Sequence, residues 1–204
     1  MQANLYKRLI LTFFIFISLN VHANEVTNHK IAVLVNDEII TTYDVSQRLK
    51  INAIINGINI TPENLQLLTN TVVEDLIDEN LMYQKSMENK IKVDENEYNT
   101  HEKNFFNNQS FSQKELIDTF KKNNIRYLEF KNFLINEIAW NKLIGSLYYR
   151  VTAVSDIEIE EIISKNPNIS EDQAKNIVIQ RQLDLRGSKL LRDMRNEATI
   201  EYKL

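Results

Sequence analysis

The sequence predicts a mainly α-helical domain with a small β-sheet formed by an N-terminal hairpin and a C-terminal strand. Only three glycines and two prolines occur among the 204 residues, which is too few for the many tight turns of a β-sandwich. Between residues 42 and 196, apolar side chains recur at helical spacing behind strong capping signals. The segments on either side of this region have the composition and the alternation of β-strands.

A β-hairpin opens the folded region. Its strands are predicted at residues 30–35 and 38–41, which are rich in β-branched residues and are separated by Asn36 and Asp37. Asparagine and aspartate tolerate the positive φ angles of a tight turn. We therefore expect the two strands to pair with each other.

Seven helices are predicted to follow, and local signals mark their ends. The clearest signal is the capping box of Ser112 and Glu115, in which each side chain accepts a hydrogen bond from the backbone N–H of the other residue. Thr41 or Thr42 caps the first helix. The predicted helices cover residues 42–56, 62–88, 95–107, 113–122, 126–149, 156–165 and 171–196. Residues 151–154 are predicted to be extended, and residues 198–204 alternate as a strand.

The N-terminus has the pattern of a secretory signal peptide. Lys7 and Arg8 precede the uncharged residues 9–19, and Ala23 provides the small residue that a cleavage site requires. Cleavage after Ala23 would remove residues 1–23. The mature chain would then hold 22 basic and 28 acidic residues, a net charge of −6. Such an acidic exported chain is a poor candidate for binding nucleic acid.

Composition and charge place the mature chain among globular proteins. The full chain is 43% hydrophobic, 25% charged and 9% aromatic, which excludes a disordered tail, a collagen-like fibre and a multi-span membrane protein. We expect no membrane span after cleavage. One domain is expected, with residues 24–165 forming a helical body and residues 166–204 forming a helix and strand that pack back on it.

The sequence contains no recognisable catalytic or metal-binding arrangement. It has no cysteine, so disulfides, thiolate zinc sites and cysteine nucleophiles are impossible. His29 and His101 are the histidines of the mature chain, and their spacing matches no metal motif. The serines at predicted helix starts are assigned to capping, and no sequence pattern pairs any of them with a histidine that could act as the base of a serine nucleophile. We therefore predict no catalytic residue, no metal and no cofactor, and a protein that acts by offering a surface.

Several stretches resemble the SurA N-terminal domain. Residues 31–49, reading IAVLVNDEIITTYDVSQRL, resemble the hairpin and first helix of that family. The tail at residues 171–204, a long helix and an alternating strand, is similar to the family's C-terminal segment. Further similarity lies in residues 76–84, 91–97, 111–120 and 150–160. The resemblance covers nearly all of the mature chain.

This resemblance implies a periplasmic, ATP-independent chaperone of a Gram-negative bacterium that binds unfolded outer-membrane proteins during outer-membrane assembly. Members of the family typically carry one or two parvulin-type prolyl isomerase domains between their two parts. Here only residues 164–170 separate those parts, whereas a parvulin domain needs roughly a hundred residues. The resemblance therefore implies a chaperone core without its own isomerase domain, and no enzyme.

Two other classes of function stay open at the level of sequence. The chain could be a prolyl isomerase with an unrecognised site, or a subunit that acts with a separate isomerase. It could also be a structural adaptor whose apolar surface forms a permanent homodimer. Isomerase activity and oligomeric state in solution distinguish these alternatives.

The candidate client-binding surface is an aromatic-rich helix at residues 126–149, together with the facing parts of the second and third helices. One apolar row, around Phe130, Leu134 and Ile138, is predicted to be buried in the core. A second row is predicted to contact clients, because aromatic side chains offer large apolar area with few rotatable bonds. The alternative is that most of these aromatics belong to the core. The predicted client-binding residues are Phe105, Tyr127, Phe133, Trp140 and Tyr148.

Overall fold

The computed structural model describes residues 29–203, which form seven α-helices and one three-stranded sheet. The predicted signal peptide lies outside the described residues. The mainly helical fold class predicted from the sequence is confirmed. Among the described residues, no helix is both long enough and apolar enough to cross a bilayer.

The sheet joins the two ends of the described chain. Strand β1 (Ile31–Val35) lies in the centre and pairs antiparallel with β2 (Glu38–Thr41) on one side and with β3 (Ile200–Tyr202) on the other. Asn36 takes a φ of 55° in the hairpin turn, as its residue type predicts. Strand β3 begins at Ile200 and not at the predicted residue 198, because the backbone N–H of Ala198 still bonds to Met194 of the preceding helix.

The helices begin where the capping signals predict. Capping boxes are present at Thr41, Asp94, Ser112, Ser155 and Ser170. The helices are α1 (Thr42–Ile55), α2 (Pro62–Glu88), α3 (Glu95–Asn107), α4 (Gln113–Lys122), α5 (Tyr127–Tyr148), α6 (Asp156–Lys165) and α7 (Glu171–Glu197). The connection after α5 differs in part from the predicted extended segment. A short 3₁₀ turn continues α5 through Val151, and the extended backbone begins at Thr152.

Three apolar clusters form the core. The first joins the sheet to α2 and α7, and the second joins α1, α3, α4 and α5. The third lies between α6 and α7. The largest fully buried side chains include Phe120, Phe130, Ile77 and Leu143. Helix α5 packs against α2, α3 and α7, so it is the structural centre of the helical body. Its predicted buried row, Phe130, Leu134 and Ile138, is buried.

Candidate functional site

A groove runs between α1, α2 and α5, with β2 at one rim. It consists of two adjoining cavities of about 440 Å³ each, which share Arg48, Glu79, Phe133 and Asn136 as lining residues. One cavity opens beside β2 and Tyr83, and the other extends to Met82 and Trp140. We call this feature the central groove.

A buried ion pair forms the middle of the central groove. Arg48 of α1 is only 9% exposed, and it pairs with Glu79 of α2 through both guanidinium nitrogens, Nη2 lying 2.7 Å from Oε2. The Arg48 guanidinium also stacks over Phe133 of α5, with Cζ 4.7 Å from the ring centroid. Three helices thus meet at this pair. Burial raises the pKa of Glu79 even though Arg48 acts in the opposite direction.

One face of α5 lines the central groove along its length. Asn132, Phe133, Asn136 and Trp140 follow one another at helical spacing of one, three and four residues, so they lie on one side of the helix. Within the described residues, the side chains of Asn132 and Asn136 form no hydrogen bond with another residue. Each amide therefore has a free donor and a free acceptor next to an aromatic ring.

Carboxylates dominate the charge of the central groove. Arg48 is the single basic residue among the described lining residues, against six acidic ones. The acidic lining residues are Asp44, Asp75, Asp78, Glu79, Glu129 and Glu137. Partial burial and the nearby carboxylates of Asp78 and Glu74 raise the pKa of Asp75, although the charge of Arg48 acts in the opposite direction. The free groove is therefore electronegative.

Phe133 and Trp140 are the two predicted client-binding residues that the fold brings together. Both are partly buried and both line the cavity near Met82. Trp140 also borders a third cavity, of about 280 Å³, between α2, α5 and α7. These two side chains therefore line the central groove, and their contact with a client stays a prediction.

The other three predicted residues lie elsewhere and are partly buried. Phe105 packs edge-to-face on Phe130, with ring centroids 5.1 Å apart, inside the second core cluster. Tyr127 donates a hydrogen bond of 2.7 Å to Glu102, and burial raises the pKa of its hydroxyl. Tyr148 lies near the end of α5, with Arg186 of α7 5.6 Å from its ring centroid. Contact of these three side chains with a client stays a prediction.

Sequence reasoning missed the polar half of the central groove. The carboxylates of α2 and the asparagines of α5 carry no recognisable motif in the sequence. One local signal was available for Arg48, which lies three residues from both Val45 and Ile51 on the apolar side of α1. An arginine at such a position requires a buried acidic partner. No cluster of potential metal ligands occurs within residues 29–203.

The described residues form a helical body with a three-stranded sheet that joins the two ends of the described chain. The sequence matches the family described as the SurA-like N-terminal domain over residues 4–144. The chain therefore belongs to the SurA-like family.

The chain is also similar to a solved structure reported for PEB4 and Cj1289 of Campylobacter jejuni, which are described as two structurally related SurA-like chaperones. The sequence identity is 14%, and the match covers 84% of this chain and 98% of the other with a TM-score of 0.49. A comparison with curated proteins found no match.

Proposed function

We propose that this protein is an ATP-independent periplasmic chaperone that binds unfolded outer-membrane proteins in the central groove during outer-membrane assembly. The observation that carries the proposal is the combination of Phe133 and Trp140 with the unpaired amides of Asn132 and Asn136 on one accessible face. Membership of the SurA-like family supports a chaperone role.

The chemistry of the central groove suits an unfolded segment. An extended backbone exposes N–H and C=O groups in alternation, and a side-chain amide can bond to either of them whatever the client sequence. Phe133 and Trp140 add apolar contact for aromatic side chains of the client. Such a site binds many sequences weakly, which is what a chaperone that holds unfolded chains requires.

The proposed location depends on the predicted signal peptide. Cleavage after Ala23 would deliver a chain that begins at Asn24 to the periplasm. Intact-mass measurement of the protein recovered from the periplasmic fraction tests this step. A chain that retains residues 1–23 in the cytoplasm would contradict the proposed location.

Aggregation of a diluted, urea-unfolded outer-membrane β-barrel tests the function. We expect the mature chain, residues 24–204, to suppress light scattering in a stoichiometric manner. Phe133→Ala and Asn136→Ala should weaken suppression severalfold, whereas Tyr149→Ala and Asn99→Ala should not. The control residues are exposed and lie outside the groove lining. Circular dichroism of each variant verifies that it is folded. Equal suppression by groove and control variants would contradict the assignment to this groove.

The fluorescence of Trp140 gives a direct readout, because it is the only tryptophan in the chain. Titration with an unfolded aromatic-rich peptide should shift its emission. An unchanged spectrum during binding would place the client elsewhere, including at Phe105, Tyr127 or Tyr148.

The proposal includes no prolyl isomerase activity of this chain. Catalysis must lower a barrier of about 18–20 kcal/mol, which requires an organised pocket. A peptide isomerisation assay with the purified protein tests this, and acceleration of cis/trans exchange would favour the enzyme alternative. Light scattering of the protein alone tests the homodimer alternative.

A further inference from the structure

The acidic residues of the central groove are not equally compensated. Arg48 neutralises Glu79, Arg195 of α7 pairs with Asp78, and Arg126 pairs with Glu129. The groove therefore holds six carboxylates against three guanidinium groups, two of which belong to residues outside the lining.

Asp75 and Asp44 are the two lining carboxylates that pair with no basic side chain of the described residues. Asp75 lies in the cavity of Phe133 and Trp140, and the favourable charge of Arg48 is opposed there by the acidic neighbours Asp78 and Glu74 on α2. Its pKa is raised, mainly by burial. A cation that entered the groove would favour the charged form of Asp75, whereas a neutral or anionic group would not.

A buried acceptor in the same groove also lacks a donor. Gln47 lines the central groove and is 5% exposed. Its Nε2 donates to the backbone carbonyl of Asn124 at 3.3 Å, and this fixes the orientation of the amide. Oε1 then receives no hydrogen bond from any described residue. An unpaired buried acceptor favours a ligand that supplies donors.

We propose that the central groove selects extended client segments in which lysine or arginine lies next to an aromatic residue. This inference rests on the proposed function and specifies the client chemistry. The aromatic side chain contacts Phe133 and Trp140, and the neighbouring cation lies against the carboxylates of α2, above all Asp75. Acidic segments are repelled by the same carboxylates, so client charge becomes a basis for selection.

Three labelled peptides of equal length and equal aromatic content test the inference. They carry lysine, serine or glutamate beside each aromatic residue, and their binding to the mature chain is followed by fluorescence anisotropy at low and high salt. We expect the lysine peptide to bind about tenfold more tightly than the serine peptide at low salt, and the glutamate peptide to bind most weakly. The preference should shrink at high salt, because screening weakens charge interactions.

A matched pair of variants locates the preference. Asp75→Asn should reduce the ratio between the lysine and serine peptides severalfold. Asp118→Asn, the same chemical change on α4 outside the groove lining, should leave it unchanged. An equal reduction by both variants would show that overall charge controls binding, and it would overturn the inference.

Two further outcomes separate this inference from the proposed function. Equal binding of all three peptides, combined with a Trp140 shift, would overturn the charge preference and leave the chaperone proposal intact. Failure of every peptide to bind would overturn both proposals for this groove.

Discussion

At the scale of single residues, Arg48 holds the central groove together. Its guanidinium bonds to Glu79 and stacks on Phe133, so one side chain links α1, α2 and α5. Removing one partner of a buried ion pair leaves the other charge without compensation. We expect Arg48→Ala to lower the free energy of unfolding by about 3 to 5 kcal/mol, measured by urea denaturation.

The double variant Arg48→Met/Glu79→Leu provides the control for this prediction. It removes both charges and keeps apolar volume at the two positions, so most of the lost stability should return. Such a variant would still lack the polar centre of the groove. If the double variant were as unstable as Arg48→Ala, the loss of stability would come from altered packing around the aliphatic parts of Arg48 and Glu79. It would not come from an unpaired charge.

The raised pKa of Glu79 makes its contribution to stability depend on pH. A raised carboxyl pKa means that the folded state binds the proton more tightly than the unfolded state. The contribution of Glu79 to the free energy of unfolding therefore falls as pH rises through its titration range. We compare the free energy of unfolding of Glu79→Gln with that of the wild type. The difference should be most unfavourable to the variant at about pH 4 and should change in the variant's favour towards about pH 7.

Urea denaturation of both proteins at several pH values measures this difference. Asp118→Asn is a suitable control, because its carboxylate is exposed and does not line the central groove. If the free energy of unfolding of the wild type instead rose relative to that of Glu79→Gln as pH increased, the attraction of Glu79 to Arg48 would exceed the cost of its burial.

The groove residues differ in how far the sequence could predict them. Phe133 and Trp140 were predictable, because two aromatic rows on one helix indicate contacts on more than one side. The amides of α5 and the carboxylates of α2 were not, since their role depends on which helices become neighbours in space. No local pattern encodes the approach of α1, α2 and α5. Spacing along one helix therefore predicted that Phe133 and Trp140 share a face, and their contact with a client stays a prediction.

At the scale of elements, the helix starts were predictable because capping is a local interaction. Ser112 and Glu115 satisfy each other's backbone donors with no help from the rest of the fold. The connection at Val151 was less predictable, because nothing nearby in the sequence ends α5 sharply. The pairing of β1 with β3 was predicted from the strand patterns on either side of the helical region. The start of β3 was not predicted, because it depends on the residue at which α7 ends.

Two glycines inside helices provide a matched test of element packing. A Cβ built on Gly145 of α5 meets nothing within 4 Å, whereas a Cβ on Gly187 of α7 meets Ile144 Cγ1 at 3.3 Å. Alanine is favoured over glycine in a helix interior by about 1 kcal/mol. We expect Gly145→Ala to raise the melting temperature by about 2 to 4 °C. Gly187→Ala should lower it, because buried Ile144 has little room to move.

Thermal unfolding by circular dichroism compares the two glycine variants directly. Both gain the same helix propensity, so a difference between them reports the contact between α5 and α7. Equal stabilisation of both variants would mean that α7 can shift away from α5 at little cost.

At the scale of the whole molecule, α7 connects parts of the core that the rest of the chain leaves separate. Its C-terminal half supplies Leu191 and Met194 to the cluster around the sheet, and Arg195 pairs with Glu74 and Asp78 of α2. Its N-terminal half forms the third cluster with α6. The sheet depends on the same segment, because β3 follows α7 directly.

A graded truncation series should therefore lose stability in two steps. The mature chain ending at Glu197 keeps α7 but lacks β3, which leaves one edge of β1 unpaired. The chain ending at Lys165 also loses the apolar contacts of α7, which exposes the apolar cluster around the sheet to solvent. We expect a lower melting temperature for the first truncation and loss of cooperative unfolding for the second, measured by circular dichroism.

Addition of a peptide covering residues 166–204 should restore cooperative unfolding to the shorter chain, because the peptide then covers in trans the surface that α7 covers in the full chain. A chain ending at Lys165 that melted cooperatively at the temperature of the full mature chain would show that the helical body folds without α7.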